Sequence, residues 1–408
     1  MRSVEEALTH ILDHVSILTT EYVMLDDALG RVLAEDTRAQ HDLPPFANSA
    51  MDGYAVIAAD LQSSTADNPT ILAVIEDIPA GYAPQKTLQS GQASRIMTGA
   101  PLPNGADAIV PVELTDDTRR GPTAPDQIKI FASVSTHDHV RAIGEDIQTG
   151  EILLKQGRRL RPADLGVLAG LGFPEVLVTR RPRVAVISTG DELLTPDQPL
   201  TPGKIRDTNG YVIPALITSL GAIPIKLGIA RDTVESVREK FNAAVEQGAD
   251  LILSSAGVSV GAFDVVKTVL DELGAVDFWK VNMRPGKPLT FGHIRDVLFL
   301  GLPGNPVSSM VTFDVFARPM ILKMLGSSTQ VTTQKVRVGE AMTSDGRTTF
   351  ARAYLKHEND ELVAYSTGTQ SSGALSSMVK ADGLLVIPAD ITQVQPGDYL
   401  QFRPNAHL

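Results

Sequence analysis

Cysteine is absent from this 408-residue chain, which excludes disulfides, thiolate-ligated metals, iron–sulfur clusters and cysteine nucleophiles together. Aromatic residues are scarce, at 5%, with a single tryptophan at position 279. No uninterrupted apolar run approaches membrane-spanning length, and the opening MRSVEEALTHILDHV has acidic residues among its apolar ones, unlike a secretory signal. A formal charge of −12 argues against general affinity for nucleic acid or an anionic membrane, because either needs a net basic surface. The expectation is a soluble, cytoplasmic protein with neither partner. Without a G-x-S-x-G elbow, a Walker loop or a clean GxGxxG turn, a serine hydrolase, a P-loop NTPase and a nicotinamide dehydrogenase all lack support. The eight histidines are read as ungrouped, so a histidine-ligated zinc site is not expected.

What is present is a globular composition, 43% hydrophobic and 21% charged, in a chain longer than a single growing core, so two to four domains are expected. Val4, Leu8, Ile11, Leu12 and Val15 have helical spacing, and Leu25 to Ala34 reads as a second short helix. From Leu43-Pro44-Pro45-Phe46 to about Val140, short apolar runs alternate with turn residues, the mark of a β-rich module. Helical patterns before and after it suggest a discontinuous domain with the module inserted. The run Arg180-Arg181-Pro182-Arg183 reads as a solvated junction. Beyond it, apolar strands at Val184–Ser188, Ile223–Ile229, Leu251–Ser255 and Val297–Leu300 alternate with helical patterns, which indicates a parallel sheet covered on both faces. After a polar linker, short strands near Val336, Phe350, Leu362, Leu384 and Tyr399 indicate a small all-β domain.

In such sheets ligands bind at the carboxyl ends of the strands, and the unusual residues fall there. Asp191, Glu192, Asp232 and Asp264 gather oxygen donors suited to Mg²⁺, although Asp232, just ahead of a helix, also reads as its cap. Ser254 to Gly261 offers hydroxyls and N–H donors for phosphate. Lys280, Arg284 and Lys287 surround a proline-stiffened turn in which Gly286 is expected to take a positive φ, an arrangement suited to an oxyanion. Gly301-Leu302-Pro303-Gly304-Asn305-Pro306 then reads as a strand, a turn and a helix start with Asn305 at the cap, a common form of phosphate cradle.

Eight ordered stretches, PPFANSAMDGYAV, RIMTGAPLPNGADAIVPVE, RAIGEDI, VAVISTGDEL, GKIRDTNGYV, SSAGVSVGAFD, MRPGKPLTFG and GLPGNPVSS, resemble the MoeA type of molybdopterin molybdenumtransferase, also seen as the E domain of gephyrin. The resemblance implies an α/β multidomain chain. Its parts would be a linking domain of 1–44 and 141–178, an inserted β-rich domain of 45–140, a molybdopterin-binding α/β domain of 179–326 and a C-terminal β-barrel of 331–408. It also implies the reaction, in which adenylylated molybdopterin is cleaved with Mg²⁺-dependent release of AMP and molybdate enters the dithiolene. Asp191, Glu192 and Asp264 then match the metal and catalytic acids, and Ser255, Gly257, Ser259 and Gly261 the pterin-phosphate loop. Lys280, Arg284, Lys287, Pro303, Gly304 and Asn305 match substrate contacts, with Arg284, Lys287, Arg352 and Ser372 facing molybdate. Asp52, Thr98, Arg141 and Asp146 match positions that complete the cleft from the second subunit of a homodimer, with Asp52 and Asp146 on the catalytic side. A transient contact with the molybdopterin adenylyltransferase would be a further partner. The family often has lysine where this chain has Arg284, which exchanges a point charge for a planar fork. Pterin adenylyl transfer and a scaffold role are the competing readings.

Overall fold

The computed structural model describes residues 1–118, 123–255 and 263–405, with the side chains of Phe263 and Asp264 also outside the description. The chain divides into two compact units, one of residues 36–155 with 161–175, the other of residues 1–35, 156–160 and 176–408. The smaller unit contains the β-rich module. Its five-stranded sheet runs in the order Ala108–Pro111, Gly53–Val56, Gln92–Ile96, Thr70–Ile78, Gln127–Ile130. Tyr54, Val56, Leu61, Leu72, Val110 and Ile128 fill its core. A second, smaller cluster packs Leu171, from the end of the helix Pro162–Gly170, on Ala39 and Ile147.

The larger unit is built on a six-stranded sheet. In chain order its strands are β1 (Arg183–Thr189), β2 (Ile223–Ala230), β3 (Leu251–Ser255), β4 (Gly274–Lys280), β5 (Pro288–Ile294) and β6 (Val297–Leu302), and across the sheet they run β2-β1-β3-β6-β5-β4. β2, β1, β3 and β6 are mutually parallel, whereas β5 and β4 add antiparallel. The sheet is therefore mixed where the sequence suggested parallel. β4, β5 and β6 follow one another through short connections, which only antiparallel neighbours permit. Alternation explains why β1 reads as unbroken apolar sequence. Val184 and Val186 point into a core with Ile213, Leu216 and Ile217 of the helix Asn209–Ser219, while Ala185 and Ile187 point into another with Val237 and Phe241 of the helix Val234–Glu246.

Leu25 to Ala34 is not a helix beyond the short 3₁₀ turn Leu25–Asp27; Val32 and Leu33 instead bridge to Arg159 and Val178, a tertiary pairing that overrides the local pattern. Nor is the run Arg180 to Arg183 merely solvated. Arg180 forks onto Asp250 at 2.8 and 2.5 Å, and the Arg183 N–H donates to the same carboxylate at 2.8 Å, which ties the start of β1 to the loop before β3.

The C-terminal strands Gln334–Val338, Thr348–Glu358, Glu361–Ser366, Gly383–Ile387 and Tyr399–Pro404 close into a barrel, because Thr348–Glu358 pairs both with Glu361–Ser366 and with Gly383–Ile387. A two-residue strand, Met283–Arg284, lies parallel to Thr348–Thr349 and joins the β4–β5 connection to this barrel.

The N-terminal helix α1 (Val4–Asp13) begins in a capping box, with Glu6 N–H donating to Ser3 Oγ at 3.0 Å and Ser3 N–H to Glu6 Oε2 at 2.8 Å. It buries Val4, Ala7 and Ile11. The histidines prove to be grouped after all, since His10 and His14 stand one helical turn apart. Their ring centroids are 4.8 Å apart, and His293 of β5 lies 6.2 Å from His14. Burial, and next the neighbouring His14, push the His293 pKa below its ordinary value of 6.5, against the pull of Asp296. A folded-state value below the unfolded one means that this contribution to stability is complete above the ordinary pKa and is lost as the pH falls below it. The denaturant midpoint should therefore drop between about pH 8 and about pH 5.5, and drop less in His293→Asn. An identical pH response in the variant would refute this assignment.

Candidate active site

The loop after β1 turns sharply at Gly190, whose φ is 151°. A Cβ there would sit 2.5 Å from Glu192 Oε2, the far end of an exposed side chain that could swing aside, so it is the backbone angle that favours glycine at this position, with the Glu192 carboxylate lying over it. Asp191 and Asp232 face each other through reciprocal contacts, Asp191 N–H to Asp232 Oδ2 at 3.3 Å and Asp232 N–H to Asp191 Oδ1 at 3.4 Å. Asp232 is thus not the helix cap that its position suggested. Thr233 fills that role, accepting from Ser236 N–H at 3.2 Å, which leaves Asp232 beside Asp191. Ser255, at the end of β3, is buried and its hydroxyl donates to Ser188 Oγ at 3.3 Å. Gly257, Ser259 and Gly261 lie outside the described residues, as does the side chain of Asp264.

At the same edge the segment after residue 205, to which the sequence reading gave no role, contributes two buried polar residues. Asp207 Oδ1 accepts from Gly210 N–H at 2.9 Å and so closes the start of the Asn209–Ser219 helix. Asn209 Nδ2 donates to Gly304 O at 2.8 Å, which ties that helix to the turn after β6. Asn209 Oδ1 and Thr189 Oγ1 are buried and find no partner among the described residues. A pocket of about 270 Å³ opens here, lined by Ser188, Asp207, Tyr211 and Lys226 among others.

Pro303 is buried, while Gly304 and Asn305 are exposed. The helix Pro306–Thr312 starts where expected, with Asn305 at the cap position and proline next, but the Asn305 side chain makes no capping hydrogen bond. As an anion cradle this helix start is weaker than its sequence suggests. Pro306 has no N–H, and the Val307 N–H is already given to Ser372 O at 3.1 Å. Ser372 therefore meets the turn through its backbone.

The three cations ride on the connection between β4 and β5. Lys280 lies opposite Pro288, and Val281 N–H donates to Lys287 O at 2.8 Å, so Lys280 and Lys287 flank the base of a hairpin with Arg284 near its tip. All three are exposed. Gly286 has the expected positive φ, 105°, and a Cβ on it would lie 2.5 Å from Thr312 Oγ1. Arg284 Nη1 stands 3.5 Å from Asp345 Oδ2, and Arg347 holds the same carboxylate through Nε at 3.0 Å. That bond to Arg347, ahead of the Arg284 charge, keeps Asp345 below the usual carboxylate range.

Behind Arg284 a pocket of about 380 Å³ is lined by Pro285, Thr349, Arg352, Ser366 and Gln370, among others. Arg352 is 1% exposed. Its guanidinium donates to Ser377 Oγ at 3.1 Å, Ser371 O at 3.0 Å and Thr369 O at 3.4 Å, and no carboxylate pairs with it among the described residues. Burial, and then the charge of Arg284, push its pKa down to about 10, which leaves it cationic near neutral pH. Gln370 clamps the arrangement: its Oε1 accepts from Arg352 N–H at 2.9 Å, and its Nε2 donates to Arg352 O at 3.1 Å and to Ser366 Oγ at 3.0 Å. The sequence reading passed over Gln370 and Ser377, because a neutral side chain in a surface-like loop carries no signal until its partner is seen.

In the smaller unit, Asp52 and Thr98 are brought together. The Thr98 N–H and hydroxyl both donate to Asp52 Oδ1 at 2.8 Å. Arg141 is exposed opposite Asn48 in a short antiparallel pair, and Asp146 is exposed with its N–H given to Leu43 O at 3.1 Å.

Three family models match the chain in turn. Residues 2–172 match the MoeA N-terminal region (domain I and II), residues 185–323 the family described as "Probable molybdopterin binding domain", and residues 335–404 the MoeA C-terminal region (domain IV). Molybdopterin molybdenumtransferase 2 of Mycobacterium tuberculosis is 41% identical over 98% of this chain and 99% of its own. The molybdopterin molybdenumtransferase of Haemophilus influenzae is 37% identical over 100% of both chains. The crystal structure of the molybdopterin biosynthesis moeA protein from Pyrococcus horikoshii OT3 superposes with a TM-score of 0.81 at 30% identity, over 99% of this chain and 100% of that one. A chain that carries all of these regions in order, and aligns end to end with such relatives, belongs to the MoeA family of molybdopterin molybdenumtransferases.

Proposed function

We propose that this protein inserts molybdate into adenylylated molybdopterin, with Mg²⁺-dependent release of AMP, to give molybdenum cofactor. The observation that carries the reading is Arg352, a buried cation satisfied by hydroxyl and carbonyl oxygens alone and facing a pocket shared with Arg284. A buried charge without a counter-ion is costly, and a tetrahedral dianion would offset that cost for both arginines. Arg352 would orient the oxyanion. Arg284, Lys280 and Lys287 would hold it and the substrate's phosphate in reach, and the pocket beside Asp207 and Tyr211 would take a flat heterocycle. The exposed Gly304 and Asn305 would contact the substrate's polar edge, while Pro303, itself buried, shapes the turn.

Asp191 and Asp232 fit Mg²⁺ as hard oxygen donors on one loop edge. Among the described residues no group of three metal-binding side chains is assembled, which suits an ion that takes one or two carboxylates and completes its shell with water and phosphate. Bound there with help from Glu192 or Asp264, Mg²⁺ would supply charge neutralisation on the phosphoanhydride. Glu192 would orient the attacking oxygen. Two copies of the chain would form the active species, with Asp52, Thr98, Arg141 and Asp146 of the second copy completing the cleft, in the cytoplasm and fed by transient contact with the adenylyltransferase. No helix among the described residues is long and apolar enough to cross a membrane.

The test is direct. Purified protein incubated with adenylylated molybdopterin, molybdate and Mg²⁺ should release AMP in step with cofactor formation, and chelation should stop both. A protein that leaves the substrate intact under these conditions would overturn the reading.

A further inference from the structure

The first residues of the chain reach the cationic hairpin directly. Arg2 forms a parallel bridge with Val281, its N–H donating to Lys280 O at 3.1 Å and its carbonyl accepting from Asn282 N–H at 2.8 Å. The Arg2 guanidinium lies 4.3 Å from the ring of Trp279, which the His10 ring meets edge-on at 5.0 Å and 73° and the Phe291 ring at 5.8 Å. Trp279 is 8% exposed. Immediately after Arg2 the capping box sets the direction of α1, and α1 is anchored by its buried face and by Lys323 Nζ, which donates to Leu12 O at 2.7 Å. On the opposite side the barrel holds the same loop, through Thr348 N–H to Asn282 O at 3.1 Å and Arg347 Nη1 to Met283 O at 3.3 Å.

The root of the hairpin is thus clamped from two sides, and among the described residues its start, Lys280 to Asn282, is held on one side by Arg2. Three exposed like charges on one loop repel one another, so a loose backbone would relax by spreading them apart. Convergent cations need a fixed frame, and positioning errors of an ångström are expensive at a reacting centre. We infer that Arg2 is a positioning residue, and that the N-terminal strap of Arg2 and α1 holds Lys280, and with it Lys287, in register for the oxyanion. This inference rests on the reading of the hairpin as part of the anion site.

The experiment compares the full-length protein with Arg2→Pro, which removes the N–H donor and the guanidinium yet leaves the capping box intact, and with Arg2→Lys, which keeps donor and cation. Hydrogen exchange of the segment 278–288 and the KM for molybdate are measured in each. In Arg2→Pro, exchange in that segment should accelerate about tenfold and the KM rise about tenfold, a loss of about 1.4 kcal/mol, with Tm and kcat at saturating molybdate close to those of the parent. Arg2→Lys should restore both quantities. Unchanged exchange in Arg2→Pro overturns the strap, and faster exchange with an unchanged KM reduces it to a structural contact and equally overturns the inference. Absence of AMP release from the parent protein would instead reject the functional reading, while the exchange data would still decide whether the strap holds the loop.

Discussion

Arg352→Met should lower kcat/KM for molybdate by roughly 10²-fold or more, the largest effect expected from any side chain of the barrel. The estimate takes two charge-assisted hydrogen bonds to the oxyanion at about 1.5–3 kcal/mol each. The same change removes one hydrogen bond each from Ser377 Oγ, Ser371 O and Thr369 O, so some loss of Tm accompanies it. Arg352→Lys separates the two effects. It keeps the charge but loses the planar fork that reaches both the loop carbonyls and the pocket, so molybdate affinity should still fall by about tenfold or more. Steady-state kinetics with molybdate varied at saturating adenylylated molybdopterin checks this, and a kcat/KM within twofold of the parent in both variants would remove Arg352 from the anion site.

Glu192→Gln should reduce AMP release by roughly 10²–10³-fold, the range expected when a charged group that orients an attacking oxygen is neutralised without a change of shape. Its carboxylate is exposed and lies over Gly190, so the substitution leaves packing intact and the unfolding midpoint should not move. A second measurement extends the prediction to the proposed dimer. Glu192→Gln and Asp52→Asn chains, each impaired alone, should regain part of the parental activity when refolded or co-expressed together, because a mixed pair contains one complete cleft. Full activity of Glu192→Gln alone would reject its role, and failure of the mixture would reject the shared cleft.

Much of this arrangement is legible in the residues, for reasons that differ from element to element. The apolar runs of β1, β3 and β6 announce a covered sheet because both of their faces are buried, while Gly190 and Gly286 mark backbone angles that side chains avoid, with buried Thr312 also crowding a Cβ at 286. β4 and β5 escaped notice because an edge hairpin alternates in polarity and carries no strong run. Asp232 was undervalued because a carboxylate one residue before a helix looks like a cap, and only the neighbouring loop shows that Thr233 already fills that place. Gln370 was illegible for a deeper reason: its importance lies wholly in holding Arg352, from which it is 18 positions distant in sequence. The spacing of His10 and His14 was there to be read, but His293 joins them only through the packing of α1 against β5.

The position of the lone tryptophan has a practical consequence. Trp279 is wedged between Arg2 and His10, one residue from Lys280, and no other indole exists in the chain. Ultraviolet emission excited at the red edge of protein absorbance therefore originates at the root of the cationic hairpin alone. The molecule carries its own optical reporter, by which the arrival of the proposed oxyanion would be followed in unlabelled protein.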